Sequence, residues 1–255
     1  MLSHIQMPKC VLKQFVIKEG KLKGKFFCFD VNSNKADIPL KTPKSINVCE
    51  NYYSKLVENA LCCEIERPLG KVIKLLKTIK IGGNPFELFE KSRETIYNYM
   101  HSLIVRSCEM VEEMKDNMIF KCLYSDKYLR DFAVLEGLEI AKYQKPFNDF
   151  IVNFYINNSE KPFVLPQCGM SVLEYKGTDE KGIFIPLTEE IAIRLIDKRY
   201  INNYIFDGKM CILSSNQNSK IEEINNFAYS QQLNHGVGFI VSSSKEEIER
   251  LISTI

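Results

Sequence analysis

Residues 147–158 read FNDFIVNFYINN, and the spacing of apolar residues along the chain changes at this stretch. Its centre, residues 150–156, is a short and almost continuous apolar run, which is typical of a buried β-strand. The preceding residues 126–142 carry apolar side chains at intervals of three and four, as an amphipathic helix does. The chain is therefore predicted to change here from a helix-rich part, about 54–143, to a strand-rich part, about 147–255.

Working back towards the N-terminus, two further helical patterns precede this one. Residues 54–79 carry one, with Ser54 as the predicted N-cap, and Pro68 inside it predicts a kink or a break. Residues 86–114 carry the other. Before the helices, residues 21–43 (KLKGKFFCFDVNSNKADIPLKTP) predict a hairpin, because two apolar runs flank a turn rich in Asn and Asp.

Towards the C-terminus, short apolar runs predict strands in KPFVLPQCGMSVLEY, GIFIPLT and VGFIVSS. Thr188 is predicted to cap a short helix over residues 189–197, and the Asp-Gly pair at 207–208 predicts a hairpin turn. Two more helices are predicted over residues 219–233 and 245–255, the second capped by Ser244. Segregated helices and strands indicate an α+β fold. We predict an N-terminal hairpin, a central helical layer and a C-terminal mixed or antiparallel sheet with helices, all in one domain over residues 1–255.

Composition narrows the class of protein. Hydrophobic residues make up 45% of the 255 residues and charged residues 26%, which is an ordinary globular profile without a disordered or fibrous bias. The formal net charge is only +2. A dedicated nucleic-acid binder is usually more basic, so non-specific DNA binding by the whole surface is not indicated, although a local basic face is compatible with this charge.

The nine cysteines carry no metal or disulfide pattern, since no Cys-x-x-Cys pair and no zinc-like Cys/His spacing occurs. No apolar run reaches the roughly 18 residues of a membrane span, and no signal peptide is recognised. We therefore expect reduced thiols packed as small hydrophobic residues, a cytoplasmic location and no membrane partner.

Three polar residues stand in apolar surroundings and are the candidate catalytic groups. His4 precedes the apolar residues 7–17, and it is either a structural hydrogen-bonding group or a general acid or base. Glu66 lies beside Pro68 and either satisfies local backbone groups or points into a cleft beside His4. Arg106 lies in an apolar helix and must be paired, with Glu66 or with a phosphate or carboxylate ligand. If they form a site, the three side chains must converge in a concave pocket.

The order of these elements resembles an uncharacterised bacterial family called domain of unknown function 4238. The opening His4-x-x-x-Pro8 followed by Leu12-x-x-Phe15 carries the resemblance, and so do NYYS at 51–54 and Ile65-Glu66. In the C-terminal half, IFIPLTEEIAIRLI and the segment around Asn225 match further elements. The resemblance covers nearly the whole chain. It implies an α+β fold and a role in conflict between bacteria and phage, but it brings no established activity.

One departure from the family pattern concerns a second set of candidate residues. Where the family has Ser-Asp-Asn-Pro, this chain has LPQCGM, so that Gln167 replaces the aspartate and Gly169 the proline. If that aspartate binds a metal or acts as a base in other members, this protein cannot use it in the same way. Gln167 and Asn225 are the candidate ligand-binding residues.

Two functions remain open on the sequence alone. The first is a hydrolase or nuclease that acts on a phosphate-containing substrate, with Mg²⁺ as the cofactor expected of a nuclease. The second is a non-enzymatic interaction protein, an inhibitor or sensor that binds a protein partner or a small ligand. Nucleic acid is a partner under the first hypothesis, and the oligomeric state is undetermined under both.

Overall fold

The N-terminal part of the chain forms two small antiparallel strand pairs. In the computed structural model the described residues are 2–33, 37–79, 85–107, 110, 112, 113, 116, 124–145, 149–174, 181–200, 208, 210–234 and 236–254. Strand β1 (Leu2–His4) is followed by the short helix α1 (Lys9–Leu12) and pairs with β4 (Val48–Glu50). Strand β2 (Phe26–Asp30) pairs with β3 (Leu40–Lys41), which confirms the predicted hairpin.

The predicted helical layer follows. Helix α2 (Lys55–Ala60) begins at Ser54, whose hydroxyl accepts a hydrogen bond from the backbone N–H of Val57 at 3.4 Å. A π-helical turn (Leu61–Glu66) leads from α2 into α3 (Arg67–Ile79). Helices α4 (Pro85–Val105) and α5 (Asp126–Gln144) complete the layer. Part of the predicted helix 86–114 falls on residues outside the described ranges. Helix α4 ends at Val105, so Arg106 lies in the turn that follows and not inside a helix as predicted.

Pro68 neither ends nor splits the helix, contrary to one form of the prediction. A proline ring removes one N–H and crowds the carbonyl group one turn earlier. The chain meets this demand by widening its turn just before the proline, so that the N–H of Arg67 bonds to the carbonyl oxygen of Cys62. Because π turns are rare and recur at functional sites, the turn marks the surroundings of Glu66 as a candidate site.

The strand-rich part forms a five-stranded mixed sheet. Its strands are β5 (Phe150–Asn157), β7 (Ser171–Glu174), β8 (Lys181–Pro186), β9 (Ile191–Asp197) and β10 (Met210–Leu213). Their order is β10-β5-β9-β8-β7, and all neighbours are antiparallel except β10 and β5. The apolar run that the sequence placed in a buried strand is β5.

The predicted helix over 189–197 is wrong, because this segment is strand β9. Thr188 does accept hydrogen bonds from the backbone N–H groups of Glu190 at 3.1 Å and Ile191 at 2.9 Å, as a helix N-cap would. These bonds close the tight turn between β8 and β9 instead. The two-residue alternation of Ile191, Ile193 and Leu195 suits a strand, and every residue of β9 is buried between its neighbours in the sheet.

The C-terminal elements extend the sheet that begins with the N-terminal hairpin β2–β3. Helix α6 (Asn218–Asn234) leads to strand β11 (Phe239–Ser242) and then to α7 (Lys245–Ser253), which Ser244 caps as predicted. Strand β11 pairs with β2 on one side and with β6 (Leu165–Pro166) on the other, giving the order β3-β2-β11-β6. The predicted Asp-Gly hairpin falls largely outside the described residues, and its second arm, β10, pairs with β5.

The N-terminal segment belongs to the core, as its apolar residues predicted. Met7, Val11, Leu12 and Phe15 are completely buried and join a hydrophobic cluster that extends through α3 and α4 to the large sheet. Within the described part of the chain, none of the helices has both the length and the apolar character needed to cross a bilayer.

Candidate functional site

Arg106 and Tyr53 hold the N-terminal segment in place. Arg106, only 2% exposed, donates hydrogen bonds to the backbone carbonyl oxygens of His4 and, at 3.1 Å through Nε, of Ile5. The hydroxyl of Tyr53 donates to the same Ile5 oxygen at 2.8 Å, and its ring lies 5.9 Å from the guanidinium carbon. The hydrogen-bond partners of this buried arginine are therefore backbone carbonyl groups, where Glu66 or a ligand was predicted. Through them the arginine fixes the position of β1.

His4 lies half-buried at the end of β1. Its Nδ1 is buried and has no hydrogen-bond partner among the described residues. Burial lowers the pKa of His4 from its usual 6.5 to about 4, and the positive charges of Arg106 and Lys9 act in the same direction. The imidazole is consequently neutral at pH 7, with a ring nitrogen able to accept a proton.

Glu66 occupies the last position of the π turn, close to the same arginine. Burial raises the pKa of its carboxyl group, and the neighbouring Glu58 raises it further, while Arg106 and Lys9 oppose the shift. One carboxylate oxygen of Glu58 is itself buried without a partner among the described residues. His4, Glu66 and Arg106 thus fall in one electrostatic neighbourhood, and Arg106 and Lys9 act on both titratable groups.

Glu66 also lines a groove between α1 and α3, with a cavity volume of about 440 Å³. We call it the basic groove. Its lining residues are Lys9, Cys10, Lys13, Gln14, Cys62, Glu66, Arg67, Gly70, Ile73, Lys74 and Lys77. Five of these side chains are cationic and only one is acidic, so the groove is strongly positive although the chain as a whole is nearly neutral.

The cations of the basic groove have few counter-charges. Among the described residues, Lys9, Lys13 and Lys74 form no ion pair, and Lys77 donates at 2.7 Å to the neutral amide oxygen of Gln14. Burial lowers the pKa of Lys77 and the nearby charge of Lys18 lowers it further, while the carboxylates of Glu190 and Glu189 oppose the shift. The excess of cationic over acidic side chains along the groove favours an anionic ligand.

Other chemistries find less support in this groove. Burial, with the negative charge of Glu66, raises the pKa of the Cys10 thiol to about 12, so Cys10 is not a thiolate nucleophile at neutral pH. Within the described ranges, no three His, Cys, Asp or Glu side chains are grouped so as to hold a metal ion. The involvement of Mg²⁺ stays a prediction for assay.

The two candidate ligand-binding residues lie in other contacts. Asn225 is 1% exposed, and its amide bonds to the N–H of Val164 at 3.1 Å, the carbonyl of Pro162 at 2.9 Å and Glu247 at 2.7 Å. Its polar atoms are used in joining α6 to α7 and to the start of β6. Gln167 is half-buried and follows β6, where its side chain lies against Gly238. Neither residue lines the basic groove.

Sequence reasoning missed the lysines and the arginine of the groove. A signal existed, because Lys9 and Lys13 are four residues apart, and Arg67, Lys74 and Lys77 are seven and three residues apart, both of which are same-face helical spacings. Each set alone reads as an ordinary solvated helix face. Only the packing of α1 against α3 makes the two sets face one space.

Comparisons of the chain with protein-family models, with curated proteins and with solved structures find no match. The resemblance to the domain of unknown function 4238 therefore stays a prediction, and the functional argument rests on the geometry of the basic groove.

Proposed function

We propose that this protein is a hydrolase that acts on a phosphate-containing substrate, most directly a nuclease, and that it binds the phosphates in the basic groove. The observation that carries the proposal is that five cationic side chains and a single, half-buried carboxyl group, Glu66, line the same groove. Burial raises the pKa of this carboxyl group. Cations bind phosphate oxygens and stabilise charge that develops in the transition state. A carboxylate with a pKa shifted towards neutrality is a suitable proton acceptor.

Glu66 acts as the general base in this proposal. Its carboxylate takes a proton from the attacking water as the new oxygen–phosphorus bond forms. The bond from phosphorus to the leaving oxygen breaks, and the proton passes from Glu66 to that oxygen. Lys9 and Arg67, which line the same groove, neutralise the charge on the phosphate.

His4 and Arg106 are assigned supporting roles in this chemistry, and the two roles differ. Lys9 acts on His4 and on Glu66, so a phosphate bound at Lys9 offsets one of the charges that hold the pKa of His4 low. Burial, the largest cause of the low pKa, remains, so His4 stays neutral and is assigned a hydrogen-bonding role. Arg106, buried and bonded to two carbonyl oxygens, is assigned a positioning role for β1 and His4.

The test is a cleavage assay on RNA, single-stranded DNA and double-stranded DNA, each with and without Mg²⁺ or Mn²⁺. Glu66→Gln is compared with Glu64→Gln, a carboxylate of the same π turn that pairs with Lys142 at 3.1 Å and does not line the groove. We expect Glu66→Gln to lose at least about 100-fold in rate, as removal of a general base does, while Glu64→Gln cleaves like the wild type. Full activity of Glu66→Gln excludes this base, and no cleavage of any substrate excludes the hydrolase.

The second candidate is a binding protein of a bacterium–phage conflict that captures a phosphate-bearing ligand without cleaving it. The burial of Arg106 favours it, because this arginine does not line the groove and two of its three nitrogens donate to backbone carbonyl groups. Tight binding in the groove with no cleavage under any metal condition supports this candidate over the first.

A further inference from the structure

We propose that the ligand of the basic groove is a single strand of nucleic acid whose sugar–phosphate backbone runs along α3 from Arg67 to Lys77. This inference rests on the proposed function in taking the groove as the substrate site, and it adds the class and the path of the substrate.

The cations of α3 form a line and not a point. Arg67, Lys74 and Lys77 lie on one side of the helix at relative positions 0, 7 and 10, and at 1.5 Å per residue they span about 15 Å. A stacked strand has a phosphate about every 3.4 Å along its axis, so this length matches about four phosphates. A single phosphate group reaches only one end of such a line.

The second wall restricts what can enter. Lys9 and Lys13 of the α1 region face α3 one helical turn apart, and the bond from Lys77 to Gln14 joins the two walls at 2.7 Å. Walls joined at one end favour the narrower form of nucleic acid, a single strand, which displaces this bond where it passes Lys77. A duplex carries its phosphates on the outside of a wide cylinder, so it meets only the rim of the groove.

Gly70 gives an independent indication that a chain passes close to α3. It lies inside the helix between Arg67 and Lys74, where glycine costs roughly 1 kcal/mol relative to alanine. The fold does not need this glycine, since a Cβ placed there meets no atom within 4 Å. The bare backbone leaves room on the groove floor for a ligand backbone to approach closely.

The lining also indicates how the strand is recognised. Among the described residues the lining includes no aromatic side chain on which bases could stack, and its cations address phosphate groups. Binding is therefore expected to be independent of sequence and strongly dependent on salt. For a single strand the slope of log K against log salt is about −0.7 per phosphate, which gives about −3 for four phosphates.

The experiment measures binding by fluorescence anisotropy with labelled strands of about 12 nucleotides, within the site sizes of single-strand binders, and checks on a gel that they stay intact. RNA and DNA strands and the matching duplex are compared, with ATP as a competitor. Lys74→Ala is expected to weaken strand binding about fivefold at 0.1 M salt and to reduce the slope by about 0.7. Lys71→Ala, on the same helix but outside the lining, is the matched control and is expected to stay within about twofold.

Gly70→Leu tests the path of the strand without changing charge. It is expected to weaken strand binding more than tenfold and to leave the melting temperature unchanged or raised, since leucine favours the helix. Equal loss in Lys71→Ala and Lys74→Ala, or unchanged binding by Gly70→Leu, overturns the proposed path. A preference for duplex, or ATP binding as tightly as the strand, overturns the substrate class.

These outcomes separate the two proposals. Strand binding that depends on Lys74 and Gly70 but is never followed by cleavage removes the hydrolase and leaves this inference standing. Cleavage that depends on Glu66 but acts only on duplex or on free nucleotides leaves the hydrolase standing and removes the single-strand inference.

Discussion

Arg106 donates a hydrogen bond to the backbone carbonyl oxygen of His4, across 102 positions of sequence. The contact ties the segment that follows α4 to β1. Burial lowers the pKa of the His4 imidazole, and the charge of the same guanidinium lowers it further. One buried side chain therefore fixes the position of His4 and helps to keep its ring neutral. The basic groove begins a few residues further on, at Lys9, so a change at Arg106 is expected to reach it through the chain.

Replacing Arg106 by methionine is expected to destabilise the protein by about 2–4 kcal/mol, because it removes charge-assisted hydrogen bonds and leaves the His4 carbonyl without this donor and the Ile5 carbonyl with Tyr53 alone. Arg106→Lys is expected to fall between this variant and the wild type, since it keeps the charge but cannot fork to both carbonyls. Urea unfolding measures the free energy. Arg67→Met, at an exposed arginine, is the control and should stay within about 0.5 kcal/mol of the wild type. Equal stability of Arg106→Met, Arg106→Lys and Arg67→Met would show that Arg106 does not stabilise the N-terminal segment.

The His4 imidazole is expected to titrate with a midpoint near 4, well below the usual 6.5. Since the unfolded chain takes up this proton first, the contribution of His4 to stability is present above about pH 6.5 and is lost as the pH falls from 6.5 towards 4. The ring is partly exposed, so we expect a discounted loss of about 1–2 kcal/mol. NMR detection of the ring proton, assigned with His4→Gln, gives the midpoint. Lys9→Ala should raise it, and a midpoint near 6.5 in the wild type would show a solvated ring.

Glu66→Gln is expected to be at least as stable as the wild type at pH 8. Burial raises the folded-state pKa of Glu66, so the folded protein holds this proton more tightly than the unfolded chain. The contribution of Glu66 to stability is then present at low pH and is lost as the pH rises through the raised pKa. Glutamine removes this loss, and the difference between the two proteins should vanish near pH 4. Thermal melts of the wild type and Glu66→Gln at pH 4 and pH 8 test this expectation. If Glu66→Gln is less stable than the wild type only at pH 8, the Glu66 carboxylate is favourably paired in the folded protein.

Local signals in the sequence were enough to predict much of the fold. The apolar run of β5 and the serine caps of α2 and α7 depend on neighbouring residues only, and they were predicted correctly. Strand β9 was predicted wrongly as a helix, because the Thr188 hydroxyl accepts hydrogen bonds from backbone N–H groups in a turn just as it would at a helix N-cap. The deciding contacts come from β5 and β8, which lie elsewhere in the chain.

The candidate site likewise combines features that the local sequence predicts with features that depend on distant contacts. Arg106 was recognised as a buried arginine that needs partners, but backbone carbonyl groups as those partners cannot be read from a residue pattern. The basic groove depends on α1 packing against α3, and each lysine set alone looks like a solvated face. Asn225 was singled out by resemblance, whereas its hydrogen bonds are those of a residue that holds elements together.

Asn225→Leu is expected to cost about 2–4 kcal/mol, because it removes the buried partner of the Val164 N–H and of the Pro162 carbonyl and leaves Glu247 with Arg250 alone. At a temperature where the variant is still folded, ligand binding in the groove should equal that of the wild type. Chemical unfolding and the anisotropy assay measure the two effects. Unchanged stability together with lost binding would instead make Asn225 a ligand contact.

Deletion of residues 1–8 is expected to destabilise the protein more than any single substitution above. It removes β1, the completely buried Met7 and the carbonyl groups that accept from Arg106, which is then left buried without those acceptors. Adding Arg106→Met to the deletion should therefore cost much less than it costs in the full chain. Urea unfolding of the four proteins gives this coupling energy. Additive losses would show that Arg106 and the N-terminal segment stabilise the fold independently.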